Sequence, residues 1–148
     1  MVIALLAGGA LVLIFLVLSL IHFYWVLGGR WGLAAAVPTK ADGQLLFKAG
    51  WLPTLVVALG LLLLAAVIAA LMGLMPLGWL YNLPDGFLEY GLWAVAGLFL
   101  LRAIGDFRYA GFFKRVRGTA FGRMDTLLFS PLCAVVAGLL ALLLSASM

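Results

Sequence analysis

The sequence has few charged residues, a single cysteine and a single histidine. Charged side chains make up 9% of the 148 residues, whereas a soluble globular domain carries roughly 25%. Because Cys133 is the only cysteine, the chain cannot form an intramolecular disulfide or a cysteine-rich metal site. Because His22 is the only histidine, zinc sites and bis-histidine haem sites built from this chain are also disfavoured. We therefore expect no metal and no cofactor.

Apolar residues dominate instead, at 68% of the chain with a mean hydropathy of +1.30. A water-soluble fold of this size has too much exterior to hide so much apolar surface. A bilayer is the solvent that stabilises such a composition. We expect one transmembrane domain, residues 1–148, with no separate soluble domain.

Four apolar runs approach or exceed the roughly 20 residues that cross a bilayer. They predict an all-α membrane protein, with four transmembrane helices in an up-down bundle. The helices are expected at about 2–27, 52–76, 87–106 and 125–146, and two long loops at 28–51 and 107–124. The first run is uncharged and exceeds the apolar core of a signal peptide, so we interpret it as a span.

The last helix has two candidate starts. Ser130-Pro131 would be a good cap and first-turn pair, but it leaves only a marginal span. We prefer a start at Asp125, with Pro131 inside the first turns, where it would bend the helix.

The Lys and Arg residues are distributed asymmetrically. All nine lie in the two long loops or at the helix ends beside them. The positive-inside rule therefore predicts cytoplasmic loops, with both termini outside. Such basic loops favour contact with anionic lipids, and not with nucleic acid.

Small residues recur four apart on two of the predicted helices, as in Ala66/Ala70 and Ala134/Gly138. This spacing lets helix backbones approach closely. Ala and Gly are also common in membrane helices, so the pattern leaves open a homo-oligomer or a place in a larger membrane complex.

The third helix carries the most informative charges. Glu89 and Arg102 are 13 residues apart, which is ~20 Å along a helix, less than the ~30 Å hydrocarbon core. An intramembrane charge is a functional hypothesis whose partner should be named. The candidate partners of Arg102 are Asp106 and Asp125. The competing interpretation is that Arg102 reaches the interface as an anchor, with Asp106 and Arg108 in solvent.

Further polar candidates lie at the same level. His22 near the end of the first helix is joined by Trp25 and Trp31, which are typical of an aromatic belt. His22 has either a structural role or a proton-transfer role. Asp125 is either a helix-terminal carboxylate or a site residue, and Ser130 lies one to two turns deeper. The candidate ligand-binding residues are His22, Trp25, Trp31, Arg102, Asp106, Arg108, Asp125 and Ser130.

Three sequence blocks carry a family resemblance: His22-x-x-Trp25-x-x-Gly28-Gly29-x-Trp31-Gly32, Leu101-Arg102-Ala-Ile-Gly105-Asp106-Phe107-Arg108-Tyr-x-Gly111-Phe112 and Phe121-x-x-x-Asp125-Thr126-x-x-x-Ser130-Pro131-Leu132. On these blocks the chain resembles the DUF3995 family of small bacterial membrane proteins, over essentially its full length. The resemblance implies a four-helix inner-membrane protein and supplies no reaction.

Three function classes remain from the residues. In the first, a polar site near the cytoplasmic leaflet binds a lipid or small amphiphile. In the second, the same groups perform acid/base catalysis on a lipophilic substrate, with Asp106 or Asp125 as base and His22 as acid. In the third, the protein is an accessory subunit of a larger complex. Polar groups concentrated at one membrane level match either a binding site or an enzyme. We prefer the first class, and the catalytic residues stay unassigned.

Overall fold

The computed structural model describes residues 2–48 and 50–147 of the chain. Met1, Ala49 and Met148, which fall within the predicted domain, lie outside the described residues. The helices are α1 (Val2–Val26), α2 (Leu33–Ala36), α3 (Trp51–Leu71), α4 (Phe87–Ile104), α5 (Ala120–Met124) and α6 (Ser130–Ser147), with a 3-10 turn at Gly78–Asn82 and a π turn at Asp125–Phe129. Over the described residues no strand forms beyond one isolated bridge, Thr39 to Leu45.

Four helical segments are long and apolar enough to cross a membrane: Val2–Val26, Trp51–Leu71, Phe87–Ile104 and Ala120–Ala146. The last runs through α5, the π turn and α6. The predicted all-α class with four spans is confirmed. Helix α1 packs against α3 and α6, and α6 packs against α4. Side chains from all four spans form one apolar core, which includes Leu11, Phe15, Leu61, Ile68, Leu92, Ala96, Val136 and Leu140.

Glycines end the first two spans. Gly28, at φ 92°, donates its N–H to Trp25 O, while Gly29 donates to Tyr24 O. This pair of hydrogen bonds is a Schellman motif, in which the residue with positive φ is usually glycine. Gly73, at φ 74°, ends α3 in the same way. The predicted end of this helix near residue 76 is therefore five residues too late, because Leu71 is its last residue.

The last span begins earlier than predicted. Thr119 caps it by accepting a hydrogen bond from the Gly122 N–H at 2.9 Å, so Asp125 lies more than a turn inside the helix. Pro131 also lies inside, and the π turn of residues 125–129 comes just before it. Proline lacks an N–H and its ring clashes with the carbonyl four residues earlier. A wider turn before Pro131 is consistent with this constraint.

The two long loops, residues 27–50 and 105–119, join the helices at one end of the bundle, which we call the basic end because all nine Lys and Arg lie there. Helix α2 of the first loop contacts α5 at the start of the last span. The short connection 72–86 contains Asp85 and lies at the opposite end, close to Glu89 in the first turn of α4. The basic end therefore contains most of the ionisable groups.

Candidate functional site

The carboxylate of Asp125 is the centre of a buried ionic cluster at the basic end. Its Oδ1 accepts a hydrogen bond from Arg102 Nη2 at 2.7 Å. Its Oδ2 accepts from Gly111 N at 2.8 Å, Lys114 Nζ at 2.9 Å and Ser130 Oγ at 3.1 Å. Asp125 and Lys114 have no exposed side-chain surface. A buried carboxylate is tolerated only when it is paired and hydrogen-bonded in this way.

The π turn explains why Ser130 reaches Asp125. In an α-helix, residues five apart are separated by about 140° around the axis and face different directions. Here the Ser130 N–H bonds to Asp125 O, an i→i+5 pattern that places the two residues on one face. Both side chains are fully buried. The local departure from α geometry thus supplies the fourth donor.

A tight turn of the second loop brings Gly111 and Lys114 to the cluster. A Cβ added to Gly105 would lie 1.8 Å from Ala110 O, and one added to Gly111 would lie 2.3 Å from Ile104 O. Both glycines also have φ near 90°. Only glycine permits this backbone contact. Phe112 N then donates to Ala103 O at 2.8 Å, which returns the loop to the end of α4.

Asp106 holds the tip of that turn. Its Oδ1 accepts from the amides of Arg108 at 2.9 Å, Tyr109 at 2.7 Å and Ala110 at 2.9 Å. Burial raises the pKa of Asp106, but the hydrogen bonds from Ala110, Arg108 and Tyr109 outweigh it, so its pKa lies below the ordinary value. The side chain of Asp106 therefore organises the loop as an anion.

The cluster has an unbalanced charge. Arg102 and Lys114 contribute two positive charges, while Asp125 contributes one negative charge. Arg102 also has a buried Nη1 with no hydrogen-bond partner among the described residues. Its side chain is 37% exposed. The Asp125 carboxylate is therefore fully hydrogen-bonded, whereas the cluster keeps a net positive charge and the unpaired Arg102 Nη1 donor.

The aromatic group at the end of α1 is held by its own hydrogen bonds. Trp25 Nε1 donates to Trp31 O at 2.8 Å, and the Trp31 side chain is exposed. The His22 ring meets the Trp25 ring edge-on, with centroids 4.9 Å apart. His22 Nδ1 lies 2.7 Å from Leu18 O. A carbonyl can only accept, so Nδ1 carries the proton, and Nε2 has no partner among the described residues.

An apolar pocket of about 260 Å³ opens beside His22 and Trp25. Its walls come from the ends of α1 and α3 and from the first loop between them. Lys48 is an exposed cation at this pocket. The other lining residues are Leu33, Ala36, Val37, Phe47, Gly50, Pro53, Thr54 and Val57. An apolar cavity with a few polar groups is the usual form of a small-molecule site.

The sequence-predicted site residues fall into separate groups. Arg102, Asp125 and Ser130 meet in the ionic cluster, and Asp125 is the candidate partner that Arg102 contacts. Asp106 joins them only through the loop backbone. The Arg108 guanidinium stacks 5.2 Å from the Tyr109 ring centroid. The remaining three, His22, Trp25 and Trp31, lie at or just after the end of α1, and their hydrogen bonds and ring contacts in the described part of the chain do not reach the cluster.

Two lysines were missed by the sequence argument. Lys114 belongs to the second basic loop, which the sequence assigns to contact with anionic lipids, yet it is fully buried against Asp125. Lys48 has no neighbouring motif that indicates its place at the apolar pocket. The paired glycines at 105 and 111 are the available signal for Lys114, because they allow the loop to fold back.

Comparison with known proteins gives a family and no function. No curated protein matches the chain, and no solved structure matches it. A family model described as a protein of unknown function, DUF3995, matches residues 15–140. Because this match covers most of the sequence, the chain belongs to the DUF3995 family.

Proposed function

We propose that this integral membrane protein binds an anionic lipid, or a similar small amphiphile, in the apolar pocket beside His22 and Trp25. The observation that carries the proposal is the pocket itself, which combines apolar walls with His22 and the exposed Lys48. Part of an acyl chain or a small headgroup matches its volume of about 260 Å³. The ligand is held at the level of the cytoplasmic leaflet.

The charge of the basic end supports an anionic ligand. All nine Lys and Arg residues lie there, and Asp125 forms the two ion pairs found among the described residues. Lys48 has no ion-pair partner in the described part of the chain, so its charge is available to a headgroup. Basic side chains at a membrane surface attract anionic lipids, with each contributing about 1 kcal/mol.

Acid/base catalysis receives less support from the same geometry. The Asp125 carboxylate already accepts four hydrogen bonds, two of them from cations. Asp106 accepts three backbone amides and is held as an anion. A general base needs an accessible, poised acceptor. We therefore assign Asp125 and Asp106 to positioning of the second loop.

Lipid analysis of the purified protein tests the proposal. Protein extracted in a mild detergent should retain anionic lipid above its share of the membrane, measured by native mass spectrometry. Lys48→Gln should reduce that retention about two- to fivefold, the effect expected of one partly exposed charge interaction. Ala36→Leu, which fills the pocket, should reduce it further.

Lys40→Gln is the matched control, because Lys40 is an exposed cation of the same loop that does not line the pocket. Equal lipid retention in the Lys48→Gln and Lys40→Gln variants would contradict the proposal. So would purification of a larger complex without enriched lipid, which is the outcome expected of an accessory subunit.

A further inference from the structure

A second cavity lies between the two loops of the basic end. Its volume is about 810 Å³, and its walls are the hairpin that carries Thr39 and Asp42 and the segment from Arg115 to Ala120. The hairpin is closed by hydrogen bonds from Lys40 N to Gln44 O and from Leu46 N to Pro38 O. This inter-loop cleft shares no lining residue with the pocket beside His22.

Two arginines give the cleft its positive charge. The Arg115 side chain is exposed and makes no hydrogen bond or ion pair among the described residues. Arg117 donates from Nε to Lys114 O at 3.1 Å and from Nη2 to Phe112 O at 3.3 Å, which fixes its guanidinium. Asp42 is the one acidic residue of the lining, and its Oδ1 accepts from Gln44 N at 3.0 Å. The two arginines therefore outweigh the carboxylate.

A helix end adds neutral donors. Thr119 and Ala120, at the start of the last span, line the cleft beside the two arginines. The N-terminal end of a helix carries partial positive charge and favours anions.

We infer that the inter-loop cleft binds a phosphate group, through Arg115, Arg117 and the N-terminal end of the last span. Guanidinium groups and a helix N-terminus together match the oxygens of a phosphate. The phosphate belongs either to a lipid headgroup or to a soluble phosphorylated molecule. This inference does not rest on the function proposed above, because the two cavities are lined by different residues.

Binding measurements with defined probes test the inference. The full-length protein in detergent is titrated with inorganic phosphate and glycerol phosphate at constant ionic strength, and its thermal stability is followed. In parallel, reconstituted protein is compared in bilayers of neutral lipid with and without phosphatidic acid. Stabilisation by the soluble probes indicates a soluble ligand, and stabilisation by phosphatidic acid alone indicates a headgroup.

Variants distinguish the cleft from general attraction by positive charge. Arg115→Gln should weaken binding of the effective probe about tenfold, as expected for loss of one charge-assisted hydrogen bond. Arg123→Gln is the matched control, because Arg123 is exposed nearby and does not line the cleft.

The inference is overturned if no probe stabilises the protein. It is also overturned if Arg115→Gln and Arg123→Gln weaken binding equally, since that result indicates attraction by charge alone. Lys48→Gln should leave phosphate binding unchanged, so loss of lipid retention in that variant would bear on the other pocket only.

Discussion

Arg102 Nη2 donates to Asp125 Oδ1 across 2.7 Å, and this ion pair joins the end of α4 to the last membrane span. Lys114 approaches the other carboxylate oxygen from the second loop at 2.9 Å. One buried carboxylate therefore connects two spans and a loop. The second loop, which lines the inter-loop cleft, is therefore fixed to the helical bundle by a buried ion pair.

Removing the negative charge of Asp125 should destabilise the protein strongly. Asp125→Asn leaves the buried Lys114 ammonium without a counter-ion, and breaking a buried pair in this way costs about 3–5 kcal/mol. We expect a clearly lower midpoint of thermal unfolding in detergent. Asp85→Asn, at an exposed carboxylate of the opposite end, should leave the midpoint within experimental error.

A double variant separates charge from packing at the same position. Lys114→Met removes the uncompensated ammonium while it keeps an apolar chain, and replacing a buried ion pair by apolar groups is often neutral. Asp125→Asn combined with Lys114→Met should therefore recover a large part of the lost stability. A double variant as unstable as Asp125→Asn alone would show that the buried ammonium is not the cause.

The sequence predicts the spans well because each is a local property. An apolar run of sufficient length and a glycine at its end are visible without knowledge of the rest of the chain, as at Gly28. The sequence predicts that the last span starts at Asp125, because the apolar run begins there. In the structure the cap is Thr119, and the intervening turn is stabilised by contacts of Phe121 and Gly122, which are buried. Those contacts are tertiary and leave no periodic signal.

The ionic cluster was predictable only in part. The third span is short enough to leave Arg102 near the hydrocarbon, so this charge requires a partner. The sequence offers two candidates, Asp106 and Asp125. The choice between them depends on the path of the second loop. That path is set by the close backbone contact of Gly105 with Gly111. A pairing that depends on loop path cannot be obtained from residue spacing, and this is why Lys114 was missed.

The two glycines of that contact should tolerate no side chain. Gly105→Ala would place its Cβ 1.8 Å from Ala110 O at φ 90°, so the turn must open. With ψ at −171°, Gly105 lies in a backbone region that essentially only glycine adopts, and an alanine there costs about 1–3 kcal/mol. Loss of the Gly111 hydrogen bond to Asp125 adds to this cost. We expect lower stability together with faster tryptic cleavage after Arg108 and Arg115.

Gly118→Ala is the control for that experiment. Gly118 lies in the same loop, has open space at its Cβ position and lacks a positive φ. Its replacement should change neither stability nor cleavage. Similar effects of the two substitutions would mean that the backbone contact does not hold the loop.

A neutral hydrogen bond between spans should contribute far less than the ionic cluster. Ser19 Oγ donates to Ala58 O at 2.8 Å, from α1 to α3, and Ser19 is buried. Interhelical hydrogen bonds in membrane proteins average about 0.6 kcal/mol. Ser19→Ala should therefore lower the unfolding free energy by about that amount, measured in mixed micelles. Ser145→Ala serves as the comparison, because the Ser145 hydroxyl bonds within its own helix. A loss in Ser19→Ala as large as that in Asp125→Asn would contradict this prediction.

The turn held by Asp106 should depend on pH in a defined direction. Because the hydrogen bonds of three amides lower the pKa of Asp106, the folded state binds its proton less readily than the unfolded state. The stabilisation is therefore fully present above the ordinary aspartate pKa and is lost as the pH falls through the lowered value.

In labelled protein, the amide resonances of Tyr109 and Ala110 should keep their shifts through the mildly acidic range and move only below it. Asp106→Asn should abolish this transition, because an amide has no carboxyl proton to gain. The transition would be assigned to another group if those resonances moved near neutral pH. The same conclusion would follow if they still moved at acidic pH in the Asp106→Asn variant.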